Sequence, residues 1–309
     1  MADPPARGMN IGIGATPRTE AGKAPAVAAD HRDPGRAAVL PGSLVRSLLR
    51  DLHAEWTKLR TLTSTWWLIA AIVVLTTAVG ALTTGAVDTD QCRTDASCGE
   101  DVVKLSLTGT WVGQTAVAVL AVLAVSGEYA TGMIRTTLTA MPVRLRVLGA
   151  KAAVLAAVAA AAGTAAVLAS VAVGRYLLIG GGFTRAHGYE PLSLADGPTA
   201  RAAFGTVLYL VLIALLSAGI TWLLRDTAGS LTAVLGLLYV FPVLASLVSD
   251  DKWMERLNEI GPASAGMAVQ TTVDMASAPI GPWTGLGVLA LWAAACLALG
   301  ATALLRRDA

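Results

Sequence analysis

The chain has 309 residues, 55% of them hydrophobic and only 14% charged, with a formal net charge of +2. Its mean hydropathy is +0.63. Six long apolar runs in series would overfill the core of a water-soluble domain of this length, so that class is excluded. The net charge alone says little, its distribution more, and no nucleic-acid partner is expected.

Residues 1–43 are rich in Ala, Gly and Pro with mixed charge and show no period of two or 3.6. They read as a disordered cytoplasmic tail, either a recruiting segment or a dispensable extension. From residue 44 the pattern changes. In 44–60, Val45, Leu48, Leu49, Leu52, Trp56 and Leu59 recur at helical spacing, and Arg46, Arg50, Asp51, Lys58 and Arg60 take the other side. This predicts an amphipathic helix lying in the membrane interface, with Ser43 as its N-cap. An ordinary basic flank to the first span is the alternative. Trp66 and Trp67 then mark the interface at the start of that span.

The apolar runs lie near 66–87, 105–125, 152–174, 203–224, 228–249 and 284–305. At a rise of ~1.5 Å per residue, about 20 residues cover the hydrocarbon layer. The expectation is an all-α polytopic membrane protein with six transmembrane helices. The short first loop between spans carries Cys92 and Cys98. A local disulfide is expected there if the loop faces an oxidising compartment, and metal binding with Asp90 and Asp95 is the weaker reading. Cys296, in the last span, reads as a small packing residue.

The segment 126–151, SGEYATGMIRTTLTAMPVRLRVLGAK, is too short for a domain and too patterned for a slack linker. Glu128 and Tyr129 stand where the second span emerges, and Gly132 permits a sharp turn. Met133, Ile134, Leu138 and Met141 offer apolar contacts, and Pro142 ends any helix begun near Met133. A docking helix and a structural hairpin both fit this pattern.

Charge assigns the sides. With the N-terminus inside, the cytoplasmic segments hold 16 Lys/Arg against 9 Asp/Glu, and the external ones 7 against 12. That is the positive-inside asymmetry, and it places both termini in the cytoplasm. The spans carry polar residues without charge. Thr108, Trp111 and Thr115 can share a face of the second span, Ser217, Thr221 and Trp222 lie in the fourth, and Pro242 should kink the fifth. Thr108, Trp111, Thr115, Thr221 and Pro242 are candidates for a translocation path for an amphipathic or hydrophobic cargo. Bonding between neighbouring helices is the other reading. In the third span Ala159 and Gly163, four apart, suit close helix packing within the subunit. No catalytic set and no metal cluster is apparent. The absence of ionisable groups mid-span argues against coupling to a proton gradient.

Three segments carry a family resemblance. HAEWTKLRTLTSTWW at 53–67, the 126–151 segment and WLLRDTAGSLTAVLGLLYVFPVL at 222–244 resemble actinobacterial ABC-2 type transporter permeases. The resemblance covers roughly 45–305 and includes the six-span count. It implies an elbow helix over 44–64, with Trp56, Lys58, Leu59 and Arg60 in it. It implies a coupling helix running from Glu128 through Tyr129, Gly132, Met133, Ile134 and Arg135 to Leu138, docked on an ATPase. It also implies short external helices over 253–268. On this resemblance the chain is a permease subunit of an exporter and not itself an enzyme. The implied partners are two ATPase subunits, a second permease subunit and membrane lipid. ATP and Mg2+ would bind in the ATPase, and no cofactor is expected on this chain. Consistent with this, no GxxxxGK[ST] motif occurs. The alternative function is a membrane-embedded scaffold or immunity protein without transport.

Overall fold

A computed structural model describes residues 41–87, 101–133, 144–180, 183, 192–273, 275 and 279–306. Among them every regular element is helical. Six helices are long and apolar enough to cross a membrane. Cys92 and Cys98, the 1–40 tail, and Ile134, Arg135 and Leu138 of the expected coupling helix lie outside the described residues.

Helix α1 spans Pro41–Thr61 and α2 spans Thr63–Gly85. They are separated by Leu62, whose ψ of 117° is extended. The α1 carbonyls exposed at this break need partners. The Trp66 indole supplies one, its Nε1 donating to the Arg60 carbonyl at 3.1 Å. The amphipathic helix is therefore present, but it stops at Thr61 and not at 64. Ser43 lies inside it, two residues past its first, so it is not the N-cap.

The second span differs from one continuous helix over 105–125. A short α3, Val102–Leu107, is followed by a bend at Thr108–Gly109 and then by α4, Thr110–Ala130. The bend sits where α2 crosses most closely. A Cβ on Gly109 would lie 1.8 Å from the Thr76 carbonyl oxygen, so only glycine admits that approach. Helix α4 stops at Ala130, and Gly132 just beyond it has a φ of 70°, the left-handed value that suits the turn expected there.

Helix α5, Arg144–Gly180, is longer than its apolar run, because the turns from Arg144 to Lys151 continue the helix beyond it. Helix α6, Gly197–Leu224, is the hub, packed against α4, α5 and the last helix. Ala159 and Gly163 are buried, and Gly163 faces Leu210 of α6. The fifth span comprises α7 (Thr227–Leu235), a π-helical segment (Gly236–Val240) and α8 (Phe241–Ser246). The Phe241 N–H bonds to the Gly236 carbonyl five residues back. The distortion expected at Pro242 thus takes the form of a π segment just before it, where the missing proline N–H would have broken a regular ladder. Helices α9 (Asp251–Ile260) and α10 (Pro262–Met267) and a 3₁₀ turn (Ala268–Gln270) precede α11, Pro282–Arg306.

Two apolar clusters hold the bundle. The larger contains Ile72, Val117, Leu155, Tyr209, Leu216, Trp222 and Leu289. The smaller, at the end away from α1, gathers Leu107, Val171, Phe183 and Leu192. In lipid such contacts act through close packing more than through release of water.

Candidate functional site

The described residues place a closed ring of four charges at the end of the bundle that carries α1. Glu55 and Lys58 are three apart on α1 and therefore lie on one face. The Lys58 Nζ is 2.7 Å from Glu55 Oε1 and 2.8 Å from Glu128 Oε1. The Lys151 Nζ is 3.0 Å from the same Glu128 oxygen and 2.6 Å from Glu55 Oε2. Two acids and two bases alternate, so the ring is neutral as a whole. It joins three elements: α1, the last turn of α4, and α5 in its second turn.

Three of the four groups are nearly dry, and the Lys58 side chain is 29% exposed. Glu55 is 1% exposed, Lys151 3% and Glu128 6%. Burial by itself would raise the Glu55 pKa, but Lys151 and Lys58 outweigh it and hold the carboxyl below its ordinary value of 4.5. Burial would lower the Lys58 pKa, and its bonds to Glu128 and Glu55 bring it above its ordinary 10.5. Both groups of α1 therefore remain charged across neutral pH.

Sequence reasoning found half of this ring. Glu128 and Lys58 were singled out, but Lys58 was assigned to the solvent side of α1. Arg135 of the implied coupling helix is outside the described residues; the partners seen for Glu128 are Lys58 and Lys151. Glu55 was missed altogether. Its signal was present, since an acid three residues after Leu52 and four before Leu59 falls on the apolar face. The remaining α1 residues divide by face. Leu59 is buried, whereas Trp56, Leu48 and Leu49 are exposed and face away from the bundle.

Other basic groups at this end close helix termini. Arg144 donates to the Leu304 carbonyl at 2.8 Å and Arg225 to the Ala303 carbonyl at 3.0 Å. Both sit at the C-terminus of α11, where cations complement the exposed carbonyls. Arg225 also lies 5.5 Å from the centre of the Tyr129 ring. Met133 is exposed just beyond Gly132.

The candidate path residues separate. At the end opposite α1, Thr108 and Trp111 line a cavity of about 380 Å³ beneath α9 and α10. Thr115 lies next to them, 2.5 Å from the Tyr239 hydroxyl, which also donates to the Trp111 carbonyl. Buried Gln270 donates to Thr110 and Thr206 Oγ1, each at 3.2 Å, and Tyr209 donates to Gln114. These bonds knit α4, α6 and the fifth span together. Thr221 is not part of that group. It is fully buried and its hydroxyl donates to the Ser217 carbonyl of its own helix at 2.7 Å. Pro242 is half-buried after the π segment. Among the described residues no group of His, Cys, Asp and Glu could hold a metal ion.

No family model matches this chain, and no curated protein matches it either.

Proposed function

We propose that the chain is the membrane-spanning subunit of an ATP-driven exporter of the ABC-2 type, acting in the plasma membrane with both termini cytoplasmic. In this reading α1 is the elbow helix. The segment from Glu128 to Leu138 couples the bundle to a separate ATPase, two copies of which serve a pair of permease subunits. ATP and Mg2+ bind in the ATPase, and the cargo is amphipathic or hydrophobic.

The observation that supports this reading is the charge ring. Glu128 and Lys151 belong to the two helices that border residues 131–143, and both are fastened to α1. A push on that segment would reach α1, α4 and α5 together and would not dissipate in a slack hairpin. The outward Leu48, Leu49 and Trp56 suit a helix whose other face meets lipid.

The test is purification of the full chain in mild detergent, with mass spectrometry of what accompanies it. An ATPase subunit is expected. Replacing Met133 and Ile134 together by Asp should release it, because unpaired carboxylates would be buried in an apolar contact. Recovery of the chain with no ATPase would favour the scaffold reading. Recovery of the ATPase unchanged by the double substitution would remove this segment as the dock.

A further inference from the structure

We infer that the cavity at the end opposite α1 is a binding site for an amphipathic monoanion, a carboxylate or phosphate head on an apolar body. Its volume of about 380 Å³ falls in the range of sites that hold small organic ligands. Its walls come from four places in the chain: the bend between α3 and α4, the end of α9, the α10–3₁₀ unit, and residues 279–280.

The walls are unequal in donors and acceptors. Lys104 is the only charged residue among the described lining, and its ammonium makes no ion pair among the described residues. The Trp111 indole N–H and the Asn258 side-chain amide also have no hydrogen-bond partner among them. The hydroxyl protons nearby are taken up by backbone carbonyls. Ser264 donates to the Asn258 carbonyl at 2.7 Å and Thr108 to the Lys104 carbonyl at 3.0 Å. No carboxylate is among the described lining residues. The positive charge of Lys104, which no carboxylate of the described lining answers, together with the Trp111 and Asn258 N–H groups suits a ligand that carries negative charge.

The rest of the lining is apolar. The Trp111 ring, Met267, Pro279 and Ile280 can cover a hydrocarbon or aromatic body. Lys104 is exposed and so stands at the mouth, while buried Gln270 stands at the inner wall. An anionic head at the mouth with its apolar part inward fits that order. The site is also firmly framed. Asp101 accepts from Thr272 N at 2.5 Å, from Thr272 Oγ1 at 2.7 Å and from Lys104 N at 3.0 Å. Those bonds tie the segment after the 3₁₀ turn to the start of α3. Whether the ligand is exported cargo rests on the permease reading above; that it binds does not.

The experiment uses the full chain in phosphatidylcholine nanodiscs and a diazirine-bearing decanoic acid, with the matching diazirine alcohol as the uncharged control. Crosslinked peptides are mapped by mass spectrometry. The acid is expected to label the peptides holding Trp111 and Met267 above the labelling of the lipid-exposed face of α11, and the alcohol is not. Lys104→Gln should lower that labelling about tenfold, the scale of one lost hydrogen bond to a charged group, and Lys104→Arg should restore most of it. Competition by naphthalene-2-carboxylate would identify a water-borne ligand, and competition by phosphatidylglycerol a membrane-borne one; either supports the site. Equal labelling by acid and alcohol, labelling indifferent to Lys104→Gln, or failure of both competitors would overturn it. None of these readouts depends on an ATPase, so the binding site and the transport reading fail separately.

Discussion

Glu55 and Lys151 meet at 2.6 Å with side chains 1% and 4% exposed. Removing one member of such a pair is costly because the other is left charged and dry. Glu128 remains beside Lys151, so Glu55→Ala belongs at the low end of the range for broken buried pairs, about 3 kcal/mol. The sign of the pH dependence follows from the two shifted groups. Glu55 has a lowered folded pKa, so its contribution is present above its ordinary 4.5 and is lost as pH falls through the folded value. Lys58 has a raised one, so its contribution is present below 10.5 and is lost as pH rises through the folded value. Thermal unfolding in detergent should therefore show a plateau between these limits. The Glu55→Ala variant should start lower and have a shallower acid limb. An acid limb as steep as that of the unmodified chain would mean that Glu55 does not supply it.

At the scale of elements, the α2–α4 crossing turns on one missing side chain. Gly109→Ala would set a methyl group 1.8 Å from the Thr76 carbonyl, and the helices must separate. The expected cost is roughly 1–3 kcal/mol, as for overpacking generally. Gly149→Ala is the control. A Cβ there meets nothing within 4 Å, and alanine in a helix interior should stabilise by roughly 0.5–1 kcal/mol. Opposite shifts of the melting temperature are the expected outcome; two equal shifts would mean that the crossing is not that tight. The elements themselves were legible because the 3.6-residue period and the length of apolar runs are local properties. So was the turn at Gly132, where residue type decides the accessible φ. The bend at Thr108–Gly109 was not legible, since it depends on the Thr76 backbone of another helix. The charge ring was only half legible for the same reason. Lys58 and Glu128 are 70 residues apart, and nothing in the spacing joins them. The cavity draws on four separate stretches, so Thr108 and Trp111 were found on a shared face while Lys104 and Asn258 were not.

At the scale of the whole molecule, the two ends differ in kind. The end with α1 holds the charge ring and the arginines that close α11. The opposite end holds the cavity and the short helices α9 and α10. By sequence, the segments that the six-span topology groups with the N-terminus hold 16 Lys/Arg against 7 in the others. Translocation of such segments is disfavoured, so that end should face the cytosol. A single cysteine placed at exposed Ala195, in a background without Cys92, Cys98 and Cys296, should react with an impermeant thiol reagent in intact cells. A cysteine at Thr137 should react only after the membrane is opened. The reverse pattern would invert the molecule. It would put the charge ring outside, beyond the reach of any cytosolic ATPase, and turn the cavity toward the cytosol. The labelling experiment therefore decides on its own whether the ring can receive force from a motor, before any partner has been identified.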